Sequence, residues 1–391
     1  MASAALGSVI PAGTKFQVRL TSEASSEKPS GTPVTGVITV PVFVNGAPAI
    51  ATGVRVSGNT ADASAFRAAT DQAAEQAATL RIQFTRIEDQ AGHTKALYSV
   101  LSSVDNARES VDANGLITGI AASQTMEAEI DKGISKLESR YSQLAQILSS
   151  VKGAFVKEVN ASIDYKPGVD LTLTLTKPLE WNAPAEAKMP AAIQPAAALA
   201  ALVNAEPFRT VAQDPPKPSD LTNVMFIGSF EELQDAFSEA GWFAANALSR
   251  TSKLETARAL IEDRGYSEAP MSILYLDERP PDLALQKQND TFAMRHHIRI
   301  WRRPQTFNGK PVWVAAATHD ISITFSPESH SFTHGIDPDI DLERAKVVND
   351  LLFTGRVRAI ALVGRTGMPR NPYNATGDKL ITDGRMAVLE F

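Results

Sequence analysis

The sequence predicts a multidomain α+β protein, in which an N-terminal β-barrel or sandwich with a long helical insertion precedes a C-terminal α+β domain. Alternation of polar and apolar residues recurs from residue 15 to about 179, as half-buried strands require. Alanine and proline then dominate 183–221, which is typical of an extended linker. The predicted parts are a barrel-like domain over 8–182 with its insertion at 123–160, a linker over 183–221, and a C-terminal domain over 222–391.

The first predicted strand shows the alternation of the N-terminal domain. In "GTKFQVRLT", Phe16, Val18 and Leu20 share one face, and polar residues occupy the other. The same period returns in "TGVRVSG", "ATLRIQFTRI" and "GVDLTLTLTKPL". An alanine-rich stretch over 61–80 interrupts these strands, and its composition predicts a helix.

The insertion is predicted to be a long helix with a narrow apolar seam. Apolar residues from Met126 to Val159 recur at steps of three and four. Gly133 and Gly153 are weak points at which the helix could divide in two. The seam either packs on its own domain or joins copies of the chain, so a homo-oligomer is one expectation.

The C-terminal domain is predicted to begin with a buried strand and a capped helix in "NVMFIGSFEELQDAFSEAGW". Ser229 and Glu232 have the spacing of a capping box. A second helix, "KLETARALIEDRG", is expected to end at Gly265. A β-hairpin follows, and helices that flank a hairpin-centred sheet predict an α+β domain.

Composition excludes several classes of protein. The net charge of −6 and the pI near 5.6 argue against a general nucleic-acid binder. Cysteine is absent, which excludes disulfides, cysteine-ligated zinc and thiol nucleophiles. No run of about 18 apolar residues predicts a transmembrane helix. The start of the chain lacks the pattern of a signal peptide, as a cytosolic protein or a mature secreted one would.

Five of the six histidines lie between positions 296 and 334. Two strands, over 292–303 and 312–325, flank Asn308-Gly309, a strong signal for a two-residue hairpin turn. That turn predicts a polar face with His297 opposite Asp320, Arg299 opposite Thr318 and Trp301 opposite Ala316, and with Arg295 and Arg303 beside them.

This face is the predicted functional site. Asp320 is expected to orient the His297 imidazole, as a second group does behind a histidine base or metal ligand. Arg299 is expected to hold an anionic group with its forked donors. These three residues are the candidate catalytic set. The candidate ligand-binding residues are Arg295, Trp301, Thr318, His334, Asp337 and Asp339. The last three are expected in a loop, with Asp337 capping a helix that begins at Pro338.

A purely structural interpretation stands beside this hypothesis. His296 and His319 fall on the apolar face and are predicted to be hydrogen-bonded core residues. Cross-strand His-Asp and Arg-Thr pairs stabilise many sheets without any catalytic role. Helix capping explains Asp337, and the run "DPDID" lacks features of an EF-hand loop. The sequence contains no nucleophile elbow, P-loop or dinucleotide-binding motif. The cofactor therefore stays unknown, and whether a metal binds is left open.

Residues 8–180 resemble a known barrel. The segments "VIPAGTKFQVRLT", "GVRVSGNT" and "YKPGVDLTLTLTKPLEW" are similar to the opening, middle and late strands of TrbI-type conjugation-channel proteins and their envelope relatives. That resemblance implies a periplasmic β-barrel with helices inserted between late strands. The polar-faced helix expected here departs from the family, so a channel role is not carried over.

Residues 222–391 resemble another family. The segments "NVMFIGSFEELQDAFSEAGW", "RHHIRIWRRP", "PVWVAAATHD" and "THGIDPDIDLERAKVVNDL" occur in the order seen in the LssY C-terminal domain of bacterial envelope proteins. That domain is often attached to phosphatidic-acid-phosphatase-type enzymes, but the "PSGH" signature of those enzymes is absent here. The resemblance therefore implies a cell-envelope context and no particular reaction.

Three functions follow as expectations. The first is a secreted or periplasmic binding and scaffold protein of the cell envelope, whose polar face recognises an anionic envelope ligand or whose partner is another envelope protein. The second is a phosphoester-type hydrolase, with a metal or without one, that uses His297, Asp320 and Arg299. The third is a self-assembling surface protein that associates through the helical insertion.

Overall fold

The computed structural model describes residues 8–107, 109–121, 161–181, 190–213, 216–244, 273–287, 294–326, 331–367, 369 and 372–391, with only the backbone over 322–326 and 331–334. The chain divides into two compact units, Met1–Lys188 and Met189–Phe391. The described residues are mostly β. None of the described helices combines the length and the apolar character that crossing a membrane requires. The predicted helices over 123–160 and 253–265 lie outside the described residues.

The described part of the first unit is built from strands. They are β1 (Ser8–Ile10), β2 (Lys15–Leu20), β3 (Ala24–Ser25), β4 (Pro33–Ile38), β5 (Val42–Val44), β6 (Ala47–Ile50), β7 (Arg55–Ser64), β8 (Thr79–Glu88), β9 (Thr94–Ala96), β10 (Ser99–Val104), β11 (Ser110–Val111), β12 (Leu116–Thr118), β13 (Asp164–Tyr165), β14 (Asp170–Leu175) and β15 (Leu179–Trp181).

The main sheet of this unit is barrel-like and nearly closed, which confirms the predicted barrel in outline. Its strands follow the order β10-β14-β2-β4-β7-β8-β12-β11, and β9 pairs with β8. The alternation in β2 is confirmed, since Phe16, Val18 and Leu20 are buried. Their faces join one apolar core with the inward residues of the other strands.

The helix predicted over 61–80 is wrong. Residues up to Ser64 belong to β7, and β8 begins at Thr79. Between them, isolated bridges join Arg67 to Gln76 and Thr70 to Ala73, so the two strands continue as a hairpin arm. Helical propensity is a weak preference, and pairing with a neighbouring strand overrides it here.

The second unit combines strands with three helices in its described part. The elements are β16 (Ala191–Ala192), α1 (Ala196–Ala205), β17 (Arg209–Ala212), β18 (Lys217–Leu221), β19 (Val224–Ile227), α2 (Phe230–Glu239), β20 (Trp242–Ala244), β21 (Leu283–Lys287), β22 (Arg295–Phe307), β23 (Lys310–Ser326), β24 (Ser331–Ile336), α3 (Ile340–Phe353), β25 (Ala359–Gly364) and β26 (Arg385–Glu390).

A nine-stranded sheet organises this unit, in the order β16-β25-β26-β19-β23-β22-β21-β20, with β24 paired to β23. One face packs against α2 and α3 through Leu233, Phe237, Val347 and Leu351. The other face packs against Leu199 and Val203 of α1. The sheet is therefore covered by helices on both faces, and the hairpin β22–β23 lies in its middle.

The predicted capping box is confirmed at α2. The Ser229 hydroxyl accepts a hydrogen bond from the Glu232 backbone at 3.1 Å, and the Glu232 carboxylate accepts one from the Ser229 backbone at 2.9 Å. Each bond satisfies a backbone donor that the first helical turn leaves unpaired. The local sequence thus determines where this helix begins.

The structure differs from the predicted linker over 183–221. Within that range it places β16, α1, β17 and β18, and β16 pairs with β25 of the main sheet. Leu199 and Val203 of α1 are buried in the core of the second unit. The alanine-rich part is therefore helical from Ala196, because it has an apolar sheet face to cover.

Candidate functional site

The turn of the β22–β23 hairpin forms where predicted, but farther from the turn the pairing of the two strands is shifted. Asn308 and Gly309 have φ values of 50° and 77°, as a two-residue hairpin turn requires. Phe307 pairs with Lys310 next to the turn, but an irregularity between Arg302 and Thr306 changes the register. Beyond it, three observed pairs replace the predicted ones: His297 lies opposite Thr318, Arg299 opposite Ala316 and Trp301 opposite Val314.

The predicted cross-strand pairs are therefore wrong by two residues. An offset of two leaves every side chain on its predicted face, because successive side chains of a strand alternate. His297 still contacts Asp320 along the diagonal, with 2.7 Å between Nε2 and Oδ1. The residue directly opposite Asp320 is Arg295, whose Nη2 donates to Oδ2 at 3.2 Å.

We call the group formed by Arg295, His297, Arg299, Asp320 and Asp220 the arginine cluster. Arg299 Nη1 donates to Asp220 Oδ2 at 3.3 Å and lies 3.4 Å from His297 Nδ1. The cluster thus combines two guanidinium groups, one imidazole and two carboxylates on the face of the sheet that α1 also packs against. All of these charged ends lie within one hydrogen-bonded network.

The arginine cluster is buried, in contrast to the solvent-facing site that the sequence predicts. Arg295, His297 and Arg299 expose 3–5% of their surface, and Asp320 exposes 3%. Burial lowers the pKa of Arg299 from its ordinary value, although Asp220 and Asp320 act in the opposite direction. Desolvated guanidinium groups of this kind persist in proteins only when carboxylates compensate them.

Two of these carboxylates come from the segment that the sequence assigns to a linker. Asp220 in β18 binds Arg299, and Glu206 accepts from Arg303 Nε at 2.6 Å. Sequence reasoning missed both residues. Charge balance was the available signal: a strand face with three arginines and one aspartate requires further acids if it is buried.

Two other predicted ligand-binding residues are also buried. Trp301 is 1% exposed, packs in the core beneath α1, and donates from Nε1 to the Arg279 carbonyl at 3.1 Å. Thr318 is 1% exposed and contacts the His297 ring. Trp301 therefore has a packing role, whereas Thr318 is part of the surroundings of the arginine cluster.

The predicted loop after the hairpin is partly wrong. His334 lies in β24, where its backbone pairs with Ile323, and its side chain lies outside the described residues. The helix cap is Asp339, which accepts from the Asp341 backbone at 3.2 Å, and not Asp337. Asp337 accepts from the Asp339 backbone at 2.9 Å, a local turn that delays the start of the helix. Both carboxylates therefore accept hydrogen bonds from backbone N–H groups at the start of α3.

The opposite face of the hairpin carries a second polar group, which we call the histidine cluster: His296, His319 and Glu343. His296 and His319 lie directly opposite each other on β22 and β23. Their rings stack, with 4.2 Å between centroids and 16° between planes. Glu343 reaches them from α3, and its Oε2 lies 2.7 Å from His296 Nδ1. The prediction that His296 is a buried, hydrogen-bonded residue is confirmed.

Sequence reasoning missed Glu343, although helical spacing could have found it. Ile340, Val347 and Leu351 are the buried apolar positions of α3, and Glu343 falls on the same side of the helix. A carboxylate at a core position of an amphipathic helix requires a buried partner. Here that partner is a histidine of the adjacent sheet.

Comparison with known protein families finds a match for the second unit. The family model described as "LssY C-terminus" matches residues 206–386. The C-terminal part of this chain is therefore similar to that family, as the sequence segments predict. The match begins inside the segment predicted as a linker, so Glu206 and Asp220, which bind the buried arginines, lie within the matched residues.

Among solved structures, ComB10 of the Com type IV secretion system of Helicobacter pylori is similar to this chain. The sequence identity is 15%, the TM-score is 0.25, and the match covers 47% of this chain and 95% of that one. At this TM-score the likeness carries no argument about function. No curated protein matches the chain.

The second unit thus contains two buried polar groups, one on each face of the same hairpin. The arginine cluster has the donors of an anion site, since guanidinium groups bind phosphate or carboxylate through two parallel hydrogen bonds. The histidine cluster has ligand atoms of a kind that metal ions take. Adjacent residues of one strand, His296 and His297, belong to different groups.

Proposed function

We propose that this chain is a binding and scaffold protein of the bacterial cell envelope, and that its LssY C-terminal domain recognises an anionic group through the arginine cluster. The ligand class is a phosphate-bearing group, either a lipid head group or a glycan phosphate. The envelope location is supported by the resemblance to LssY C-terminal domains of envelope proteins. Fractionating cells that express the chain from its own gene tests this location, and recovery in the cytoplasm would contradict it.

One observation carries the choice of ligand: Arg295, His297 and Arg299 alternate along one strand and direct their polar ends into a single network. Guanidinium donors on neighbouring positions form a surface that a tetrahedral anion can bridge. Because the side chains are buried, an entering anion competes with Asp220 and Asp320 for the same donors. Binding is therefore an exchange of one acceptor for another.

If binding is such an exchange, replacing an arginine and replacing a competing aspartate should change the phosphate affinity in opposite directions. Arg299→Gln should weaken binding of inorganic phosphate by about 10- to 100-fold, since a hydrogen bond to a charged group contributes roughly 1.5–3 kcal/mol. Asp220→Asn should strengthen binding, because it removes the carboxylate that competes for Arg299. Titration calorimetry measures both variants, and circular dichroism verifies that they fold.

The control is Arg358→Gln, since this guanidinium is 68% exposed and pairs with Glu232 at the surface. It should leave the phosphate affinity unchanged. Flotation with vesicles of phosphatidylcholine, with and without phosphatidic acid, distinguishes a lipid head group from a soluble phosphate. Weaker binding in Asp220→Asn, or equal losses in Arg299→Gln and Arg358→Gln, would contradict the proposal.

A second candidate function, hydrolysis of a phosphoester, is favoured by the 2.7 Å contact between His297 Nε2 and Asp320 Oδ1. In this alternative His297 is the base, Asp320 orients it, and Arg299 binds the developing charge. The Thr318 hydroxyl is not placed as a nucleophile. It lies 3.2 Å from Nδ1 and 3.4 Å from Nε2, and near-equal distances place it over the ring rather than in line with either nitrogen.

Turnover of p-nitrophenyl phosphate by the full chain separates the two functions. A binding protein should show none. Turnover that is lost in His297→Gln, while Arg358→Gln retains it, would replace the binding proposal with the hydrolase.

A further inference from the structure

We propose that the histidine cluster binds one divalent transition-metal ion, with zinc as the expected ion. This inference goes beyond anion recognition, because His296, His319 and Glu343 lie on the opposite face of the sheet from Arg295, His297 and Arg299. The two sites can therefore be tested separately. Neither proposal depends on the other.

The first argument is placement. One possible ligand atom from each of His296, His319 and Glu343 lies within 4.8 Å of the other two. The histidines are fixed by two paired strands in the middle of the sheet, and the glutamate comes from a helix packed on that sheet. Three ligands on rigid elements converge on one point, which is how a metal site is preorganised.

The second argument is an unsatisfied oxygen. Glu343 is 3% exposed, and its Oε2 contacts His296, but its buried Oε1 has no hydrogen-bond partner. A buried carboxylate oxygen without a partner is unfavourable, since burial removes the water that would otherwise solvate it. A cation held between the carboxylate and the imidazoles would compensate that oxygen.

The third argument is the chemistry of the donors. Two imidazoles and one carboxylate form the ligand set of many zinc sites, whereas calcium and magnesium prefer oxygen ligands throughout. Other first-row ions such as Fe²⁺ accept the same set. Three protein ligands with water in the fourth position are the arrangement of catalytic rather than structural zinc sites.

A proton is the competing occupant of this position. A protonated His296 would form an ion pair with Glu343 and would require no metal. Metal binding instead requires both imidazoles to be neutral, and it displaces the hydrogen bond between His296 and Glu343. The two alternatives differ in one measurable quantity, which is the number of metal equivalents bound per chain.

The experiment uses the full chain without an affinity tag, after dialysis against a chelator. Zinc is titrated in competition with a chromophoric chelator, and bound metal is counted by inductively coupled plasma mass spectrometry. The wild type should bind one equivalent. His319→Phe, which keeps a stacked ring, and Glu343→Gln, which keeps the shape, should each weaken binding by at least about tenfold.

The matched control is His93→Gln in the first unit, where His93 Nδ1 contacts Asp89 Oδ2 at 2.8 Å. His93 is exposed in this pair, so its replacement tests for adventitious binding and should leave the stoichiometry at one. If Glu343→Gln fails to fold, two other measurements test the proposal. One is the His319→Phe variant, which should fold because His319 is only half-buried. The other is the visible absorption spectrum of Co²⁺ bound to the wild type. Absence of stoichiometric metal in the wild type, or unchanged affinity in His319→Phe, would overturn the proposal.

Discussion

The two units of the chain differ in where they place charged residues. In the described part of the first unit, Asp89 and Asp170 are the charged side chains that are buried, and the core is otherwise apolar apart from a few hydroxyl groups. The second unit buries ion pairs from several elements, including Arg295 with Asp320, Arg299 with Asp220 and Lys287 with Asp350. The first unit follows the usual rule for a β core, and the second departs from it.

The contrast indicates that stability alone does not explain the second unit. Desolvation of two charges often exceeds the attraction between them, so an apolar pair of similar size is as stable or more stable. Buried networks on both faces of one hairpin therefore have a cost that a folding core does not require. Binding of an anion on one face and of a metal on the other would account for their presence.

The largest expected loss of stability comes from an Asp→Asn substitution in the second unit, and the same substitution in the first unit is its control. Asp320→Asn removes the charge that compensates Arg295 and the acceptor near His297. Breaking a buried pair in this way should lower the free energy of unfolding by about 3–5 kcal/mol. Urea denaturation followed by tryptophan fluorescence measures it, because Trp242, Trp301 and Trp313 of the four tryptophans lie in the second unit.

The matched change in the first unit is Asp62→Asn. Asp62 accepts from Arg81 Nε at 2.7 Å, but its side chain is 58% exposed. Asparagine also tolerates the φ of 49° at this position. Loss of an exposed pair should cost about 0–1 kcal/mol. Equal losses in the two variants would mean that burial does not distinguish the two units.

A smaller effect is expected when both partners of a buried pair are replaced. Lys287 Nζ donates to Asp350 Oδ2 at 2.7 Å, with 5% and 4% of the side chains exposed. Lys287→Met and Asp350→Leu should each destabilise the second unit. The double variant should be more stable than the sum of the single changes predicts, by about 1–3 kcal/mol. The double variant should still be less stable than the wild type, because Trp242 Nε1 also donates to Asp350 and loses its acceptor.

The same denaturation measurements complete this double-mutant cycle. Strict additivity would show that the ammonium and the carboxylate do not interact in the folded protein. A double variant more stable than the wild type would strengthen the conclusion that the charges are kept for a reason other than stability.

The sequence predicts much of this architecture because short-range rules govern it. Alternation locates β2 and β14, the capping box locates the start of α2, and the Asn308-Gly309 turn locates the central hairpin. Each signal lies within a few residues of the structure that it predicts. The resemblance to the LssY C-terminal domain rests on several such segments in order.

The candidate site is less predictable, because it depends on distant parts of the chain. The irregularity between Arg302 and Thr306 shifts the pairing by two residues. Pro304 is the local signal for it, since proline cannot donate a ladder hydrogen bond, but the arithmetic from the turn does not take it into account. Burial of the arginine cluster depends on Asp220 from β18, a segment whose composition indicates a linker. Alternation alone assigns side chains to a face, but it cannot show whether that face is covered.

The smallest expected effect concerns surface charges of the first unit. Hydrogen bonds from Lys28 and Lys166 lower the pKa of Glu23 to about 2. A lowered pKa in the folded state means that the stabilisation is complete above the ordinary glutamate value of 4.5 and is lost as the pH falls towards about 2. Hydrogen exchange in β3 and β13, compared between wild type and Glu23→Gln at each pH, measures this contribution. The difference between the two proteins should be small at neutral pH and shrink further across that acidic window. It should also decrease with added salt, because the side chains of Glu23 and Lys28 are partly exposed. A difference that persists at the acidic limit, or that is as large as the effect of Asp320→Asn, would remove the contrast between surface pairs in the first unit and buried pairs in the second.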